Sequence, residues 1–156
     1  MNRRLVAALA VGALAPLAAL GSASATTPAV TPAVHVVGAD LDDRVQVNAD
    51  GVKFQTKVPT DVSMVTLTLD PGATTGWHSH PGLAVIAVAE GTGKLYSADC
   101  IARTYSAGEA FVEAGDDTPT AFTNESASPV VLTVTFIAPQ GSALAHPEAD
   151  PGCGLS

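Results

Sequence analysis

The sequence predicts a single all-β domain of barrel or sandwich type, and three observations carry that reading. Short runs rich in Val, Ile, Thr and Leu recur at intervals of about ten residues, separated by Gly, Pro, Asp and Asn. No helical pattern of useful length occurs after residue 25. In the run Val130 to Ile137, Val130, Leu132, Val134 and Phe136 alternate with Val131, Thr133, Thr135 and Ile137, the period of a strand with one face in a core.

The elements follow in chain order. Residues 1 to 25 read as a secretory signal: Arg3 and Arg4 precede an apolar run from Leu5 to Leu20, and the small-residue triplet Ala23-Ser24-Ala25 supplies the cleavage site. Pro16 interrupts the run and no basic stop-transfer cluster follows, which argues against a retained membrane helix. The mature protein is therefore expected to be secreted or otherwise extracytoplasmic. Residues 26 to 33, Thr-Thr-Pro-Ala-Val-Thr-Pro-Ala, read as an extended linker, and the folded domain is expected over 34 to 139.

Within that domain the strand-like runs are Arg44 to Val47, Val52 to Lys57, Val62 to Leu69, Leu83 to Ala89, Lys94 to Ser97, Ile101 to Tyr105, Ala110 to Glu113, Pro119 to Thr123 and Val130 to Ile137. The first two flank the turn Asn48-Ala49-Asp50-Gly51. Leu83 to Ala89 is apolar on both faces and should be central. The tail, 140 to 156, with Pro147, Pro151 and several glycines, reads as irregular.

Composition bounds the function. With 156 residues, 47% of them hydrophobic and 14% charged, the chain can bury a core, which excludes disordered and collagen-like classes. Removing the signal leaves five basic against fifteen acidic residues, a net charge of −10, so nucleic acid and anionic membrane surfaces are poor partners. The two cysteines, Cys100 and Cys153, are an even count in an exported chain, which points to a disulfide tying the tail to the domain. The alternative, free thiols or a redox pair, lacks the C-x-x-C spacing that lowers a thiol pKa. Asn124-Glu125-Ser126 matches an N-glycosylation acceptor, a pattern short enough to arise by chance.

The chemistry-bearing stretch is Asp70-Pro71-Gly72-Ala73-Thr74-Thr75-Gly76-Trp77-His78-Ser79-His80-Pro81-Gly82, closed by Glu90-Gly91 after an apolar strand. Residues i and i+2 of a strand share a face about 7 Å apart, so His78 and His80 can aim both imidazoles at one ion or ligand. Gly72, His78, His80 and Gly91 fit the frame Gly, five residues, His-x-His, then Glu and Gly, that opens a cupin domain. Gly108 to Gly115 and Thr120 to Asn124 resemble the two halves of the second cupin motif, separated by a two-residue insertion.

The chain thus resembles a cupin over residues 62 to 138, and the resemblance implies a double-stranded β-barrel of jelly-roll type. It also implies a site of three His and one Glu around Fe, Mn, Ni, Zn or Cu. Against that set, the glutamate position falls on Ala84 and the third histidine on Thr120, leaving His78 and His80 as good ligands. Asp116 and Asp117, in the inserted loop, could swing inward to complete a two-histidine, one-carboxylate set. If they stay outside, Thr118 and Thr120 face the cavity with the histidines, giving a neutral site walled by Ala84, Ile86, Phe122 and Trp77 and suited to a small polar molecule.

Three functions stay open on this reading. One is an exported cupin with a degenerate metal site that binds a small ligand through His78, His80, Thr118, Thr120, Trp77 and Phe122. Another is a metal-dependent oxygenase or isomerase using His78, His80 and Asp116 or Asp117. The third is an oligomeric structural protein, a homodimer through exchange of an edge strand from residues 40 to 57.

Overall fold

β-Branched runs and turn glycines build ten strands in the computed structural model, which describes residues 27–41 and 44–155. In chain order they are β1 (Val30–Leu41), β2 (Gln46–Ala49), β3 (Val52–Gln55), β4 (Thr60–Leu69), β5 (His78–Glu90), β6 (Thr92–Ser97), β7 (Ala102–Ser106), β8 (Ala110–Thr123), β9 (Val130–Pro139) and β10 (His146–Pro147). No helix occurs among the described residues, so none is long and apolar enough to cross a membrane. The signal expected over residues 1 to 25 lies outside the described residues.

The main sheet is antiparallel in the order β1-β4-β9-β5-β8-β6-β7, with β10 added to β5. One face of this sheet is buried although no helix is available to cover it. Val65 of β4, Ile86 and Val88 of β5, Phe111 and Phe122 of β8, and Leu132 and Val134 of β9 form one apolar cluster. A sheet whose own strands bury a common face must curl over it, and the result is the expected all-β barrel of jelly-roll type. The four inward residues of β9 are those the alternation singled out.

Three departures from the sequence reading have physical causes. Residues 30 to 33, expected as linker, begin β1 and pair with Thr66 to Leu69. Pro32 is tolerated there because β1 is an edge strand that pairs on one side only. The runs expected separately at 110–113 and 119–123 are one strand, β8, in which residues 116–119 bulge between the pairs His80↔Gly115 and His78↔Thr120. Gly115, with φ of 87°, permits the turn into that bulge, which falls where the sequence reading placed its insertion. The tail is not wholly irregular, since β10 adds a short ladder to the start of β5.

Residues 46 to 55 form a separate two-stranded hairpin. Its turn places Asp50 and Gly51 at φ of 50° and 83°, the left-handed pair that an Asp-Gly hairpin turn requires.

Candidate metal centre

β5 opens with His78-Ser79-His80, and strand alternation sends both imidazoles to the inner face while Ser79 points the other way. β8 supplies a third polar group to that interior. Phe111 and Glu113 are buried and Val112 is exposed, so Glu113 lies on the core side of a strand that otherwise buries apolar groups. The ladder sets Glu113 directly opposite Ala84, and Thr120 directly opposite His78. Residues opposite one another on neighbouring strands project to the same face, so all four meet inside the barrel.

The three donor groups converge. His80 Nε2 stands 3.1 Å from Glu113 Oε2 and His78 Nε2 stands 3.9 Å from the same oxygen. One ligand atom from each of His78, His80 and Glu113 can be chosen so that all lie within 4.8 Å of one another. The rings meet edge to face, their centroids 4.8 Å apart.

The surroundings fix the orientation of each donor. His78 Nδ1 donates to the Gly76 carbonyl at 2.9 Å, and His80 Nδ1 donates to the Leu144 carbonyl at 2.7 Å. Both rings therefore turn Nε2 toward Glu113, the arrangement found when a histidine ligand is held by a backbone acceptor. Thr120 Oγ1 donates to Glu113 Oε1 at 2.6 Å, leaving Oε2 for the histidine side.

Electrostatics follow from this packing. Burial alone would lower the His80 pKa, but the hydrogen bond with Glu113, the bond to Leu144 and the charges of Glu113 and Asp116 outweigh it, and the pKa is raised. Burial would raise Glu113, yet hydrogen bonds from His80 and Thr120 and the nearby histidine charges bring it below the usual carboxylate range. The contact between His80 Nε2 and Glu113 Oε2 lies where a cation would bind.

There is room for one. A cavity of about 40 Å³ is lined by His78, His80 and Glu113 together with Phe111 and Phe122. A second cavity of about 450 Å³ adjoins it, sharing His78, His80, Leu67 and Phe136 and walled further by Trp77, Ala145 and Pro147. Two imidazoles and a carboxylate are a donor set that suits a divalent transition ion and leaves coordination positions open. The residues present therefore fit a metal.

The C-terminal segment straps this site. β10 pairs with His78 and Ser79, Ser79 Oγ donates to Glu148 Oε1 at 2.7 Å, and Glu148 N donates to the Trp77 carbonyl at 2.9 Å. Beyond it the disulfide Cys100–Cys153 ties the tail to the turn between β6 and β7, in the pairing the cysteine count suggested. The Leu144 carbonyl that orients His80 thus belongs to a segment held at both ends.

The residues singled out from sequence divide in two. Trp77 is buried in the wall of the larger cavity, Phe122 lies against the smaller one, and Thr120 reaches the centre only through Glu113. Thr118 does not reach the site, because its hydroxyl donates to the Ala114 and Gly115 carbonyls within the exposed bulge. Asp116 turns outward to His146 Nδ1 at 3.3 Å, and Asp117 is exposed on the same bulge. The neutral cavity expected if those aspartates stay outside is corrected by Glu113, a buried carboxylate between the histidines. Asn124 is fully buried and its Nδ2 donates to the Leu69 and Ser128 carbonyls, so the folded chain presents no glycosylation acceptor there.

Glu113 escaped the motif comparison because its carboxylate comes from a neighbouring strand. A signal existed: Phe111-Val112-Glu113 alternates, and a charged residue on the same side as a core phenylalanine calls for a partner. The Leu144 and Gly76 carbonyls left no signal in the side-chain pattern.

The chain matches the family model described as Cupin domain over residues 65–136. Among solved structures, a conserved protein of unknown function from Streptococcus pyogenes superposes with a TM-score of 0.51 at 16% identity, over 72% of this chain and 77% of that one. A Cupin 2 conserved barrel domain protein from Leptotrichia buccalis gives 0.50 at 16% identity, over 70% of this chain and 41% of its own length. A cupin superfamily protein from Desulfitobacterium hafniense gives 0.50 at 8% identity, over 70% and 78%. At these identities the likeness is one of fold. No curated protein matches the chain.

Proposed function

Residues 65–136 of this chain are a cupin domain, and from that premise we propose that the protein is an exported, metal-dependent cupin. In this reading it holds one divalent transition ion through His78, His80 and Glu113 and receives a small molecule in the adjoining cavity. The observation that carries the reading is the convergence of the three donors within 4.8 Å. Two features support export: the signal-like sequence of residues 1 to 25, and the disulfide, which is at home in an oxidising compartment.

The bound ion supplies a Lewis-acidic position that an oxygen or nitrogen atom of a small molecule can occupy. The chain's own groups do the rest. The Gly76 and Leu144 carbonyls hold the imidazoles in the tautomer that presents Nε2, Thr120 fixes one Glu113 oxygen and leaves the other for the ion, and Trp77 and Phe136 exclude water from the approach. Fe, Mn, Ni, Cu and Zn are all compatible with this donor set.

The test is to offer each of these ions to the purified protein and measure bound metal by elemental analysis after desalting. Retention of one of them near one ion per chain, lost in His80→Ala and in Glu113→Ala, is the expected result. Retention of none, or retention indifferent to both substitutions, overturns the reading.

A further inference from the structure

The larger cavity has a charge pattern that selects its ligand, and the argument rests on the metal reading above. Its walls are mostly apolar: Leu67, Trp77, Phe136 and Pro147 surround a space of about 450 Å³, with Thr74 and Thr75 as the polar side chains besides the two histidines. No lysine or arginine lines it. Among the described residues Arg44, Lys53, Lys57 and Arg103 are exposed elsewhere, and Lys94 of β6 is paired with Glu125.

The consequence is a charge balance. A divalent ion held by two neutral imidazoles and one carboxylate leaves a single positive charge beside the two histidines that the apolar cavity shares with the smaller one. A ligand bearing one negative oxygen group neutralises that charge. A dianion leaves an excess negative charge with no basic side chain to meet it, and a neutral ligand leaves the positive charge uncompensated. The protein's overall negative charge disfavours a second anionic group further.

From this we propose that the cavity binds small monoanions with an apolar body, such as aryl or alkyl carboxylates and phenolates, the anionic oxygen at the metal and the apolar part against Trp77 and Phe136. Sugar phosphates and dicarboxylates are rejected by the same charge balance. The volume matches small-molecule pockets, which begin near ~300 Å³.

Trp77, the single tryptophan of the chain, is a built-in reporter. The zinc-loaded protein is titrated with benzoate, hexanoate, benzyl alcohol, succinate and glucose 6-phosphate while Trp77 fluorescence is followed. Benzoate and hexanoate are expected to bind about tenfold or more tighter than the other three. Ala145→Lys, which places a cation on an exposed part of the cavity wall, is expected to raise succinate affinity relative to benzoate.

Zinc content, read first by elemental analysis, separates the two claims. If zinc is absent and another of the five ions is retained, the same titration is run on that form; retention of none of the five overturns the metal reading and this inference with it. Retained zinc with succinate, glucose 6-phosphate or benzyl alcohol binding as tightly as benzoate, or with no fluorescence response to either monocarboxylate, overturns this inference alone.

Discussion

Ala84 and Glu113 face each other across the β5–β8 ladder, so the carboxylate absent from one strand is delivered by the strand beside it. Ala84 is fully buried and small, and that leaves space above it for the Glu113 side chain. The interior keeps two imidazoles and one carboxylate although the sequence position of the acid has changed.

Glu113→Gln retains the shape of the side chain and removes its charge. Metal affinity is expected to fall by ~100-fold or more, since loss of a partner in the outer shell alone costs 10–100-fold. Calorimetric titration of the variant with the retained metal checks this.

Thr120→Val removes the hydroxyl that donates to Glu113 Oε1 while keeping the volume. A hydrogen bond to a charged group contributes roughly 1.5–3 kcal/mol, so the expected loss of metal affinity is about tenfold, with the fold intact by circular dichroism. An unchanged affinity would mean that Thr120 does not position the carboxylate.

Cys153→Ser frees the tail that carries Leu144 and Glu148. Two effects are expected together. Closing a loop of 53 residues stabilises by up to ~4 kcal/mol, so the melting temperature falls. Metal affinity falls as well, by about tenfold, because the Leu144 carbonyl no longer holds His80. Ser79→Ala, which loses the bond to Glu148 but keeps the disulfide, should show a smaller change of the same sign.

The pH dependence has a definite sign. The His80 pKa is raised from its ordinary 6.5, so its pairing stabilises the metal-free protein fully below pH 6.5 and is lost as pH rises through the raised value. The Glu113 pKa is lowered from its ordinary 4.5, so its contribution is present above pH 4.5 and is lost as pH falls through the lowered value. The pair therefore stabilises the metal-free protein most between pH 4.5 and 6.5. A metal must displace the His80 proton, so apparent affinity should rise by about tenfold per pH unit until the raised His80 pKa is passed. Thermal melts of the metal-free protein and metal titrations across that range read both effects.

The barrel was legible because its signals are local. Alternation in β9, the Asp50-Gly51 turn and the glycines flanking β5 each declare a strand or its end within a few residues. β1 was missed since Pro32 and Gly38 break its pattern, and an edge strand needs only one paired side. The site was half legible: His78 and His80 are two residues apart, so one strand determines their convergence, whereas Glu113 joins them through a cross-strand register that no single segment encodes. The bulge at residues 116–119 carries Asp116, Asp117 and Thr118 outward, because four residues of β8 there oppose a single residue of β5.

The most direct test is the metal-to-protein ratio of the parent chain, Glu113→Ala, and Ala84→Glu combined with Glu113→Ala, measured side by side. The account predicts metal near one ion per chain in the parent, none in Glu113→Ala, and recovery in the double variant, where the carboxylate returns to β5. Metal retained by Glu113→Ala at the level of the parent would contradict it.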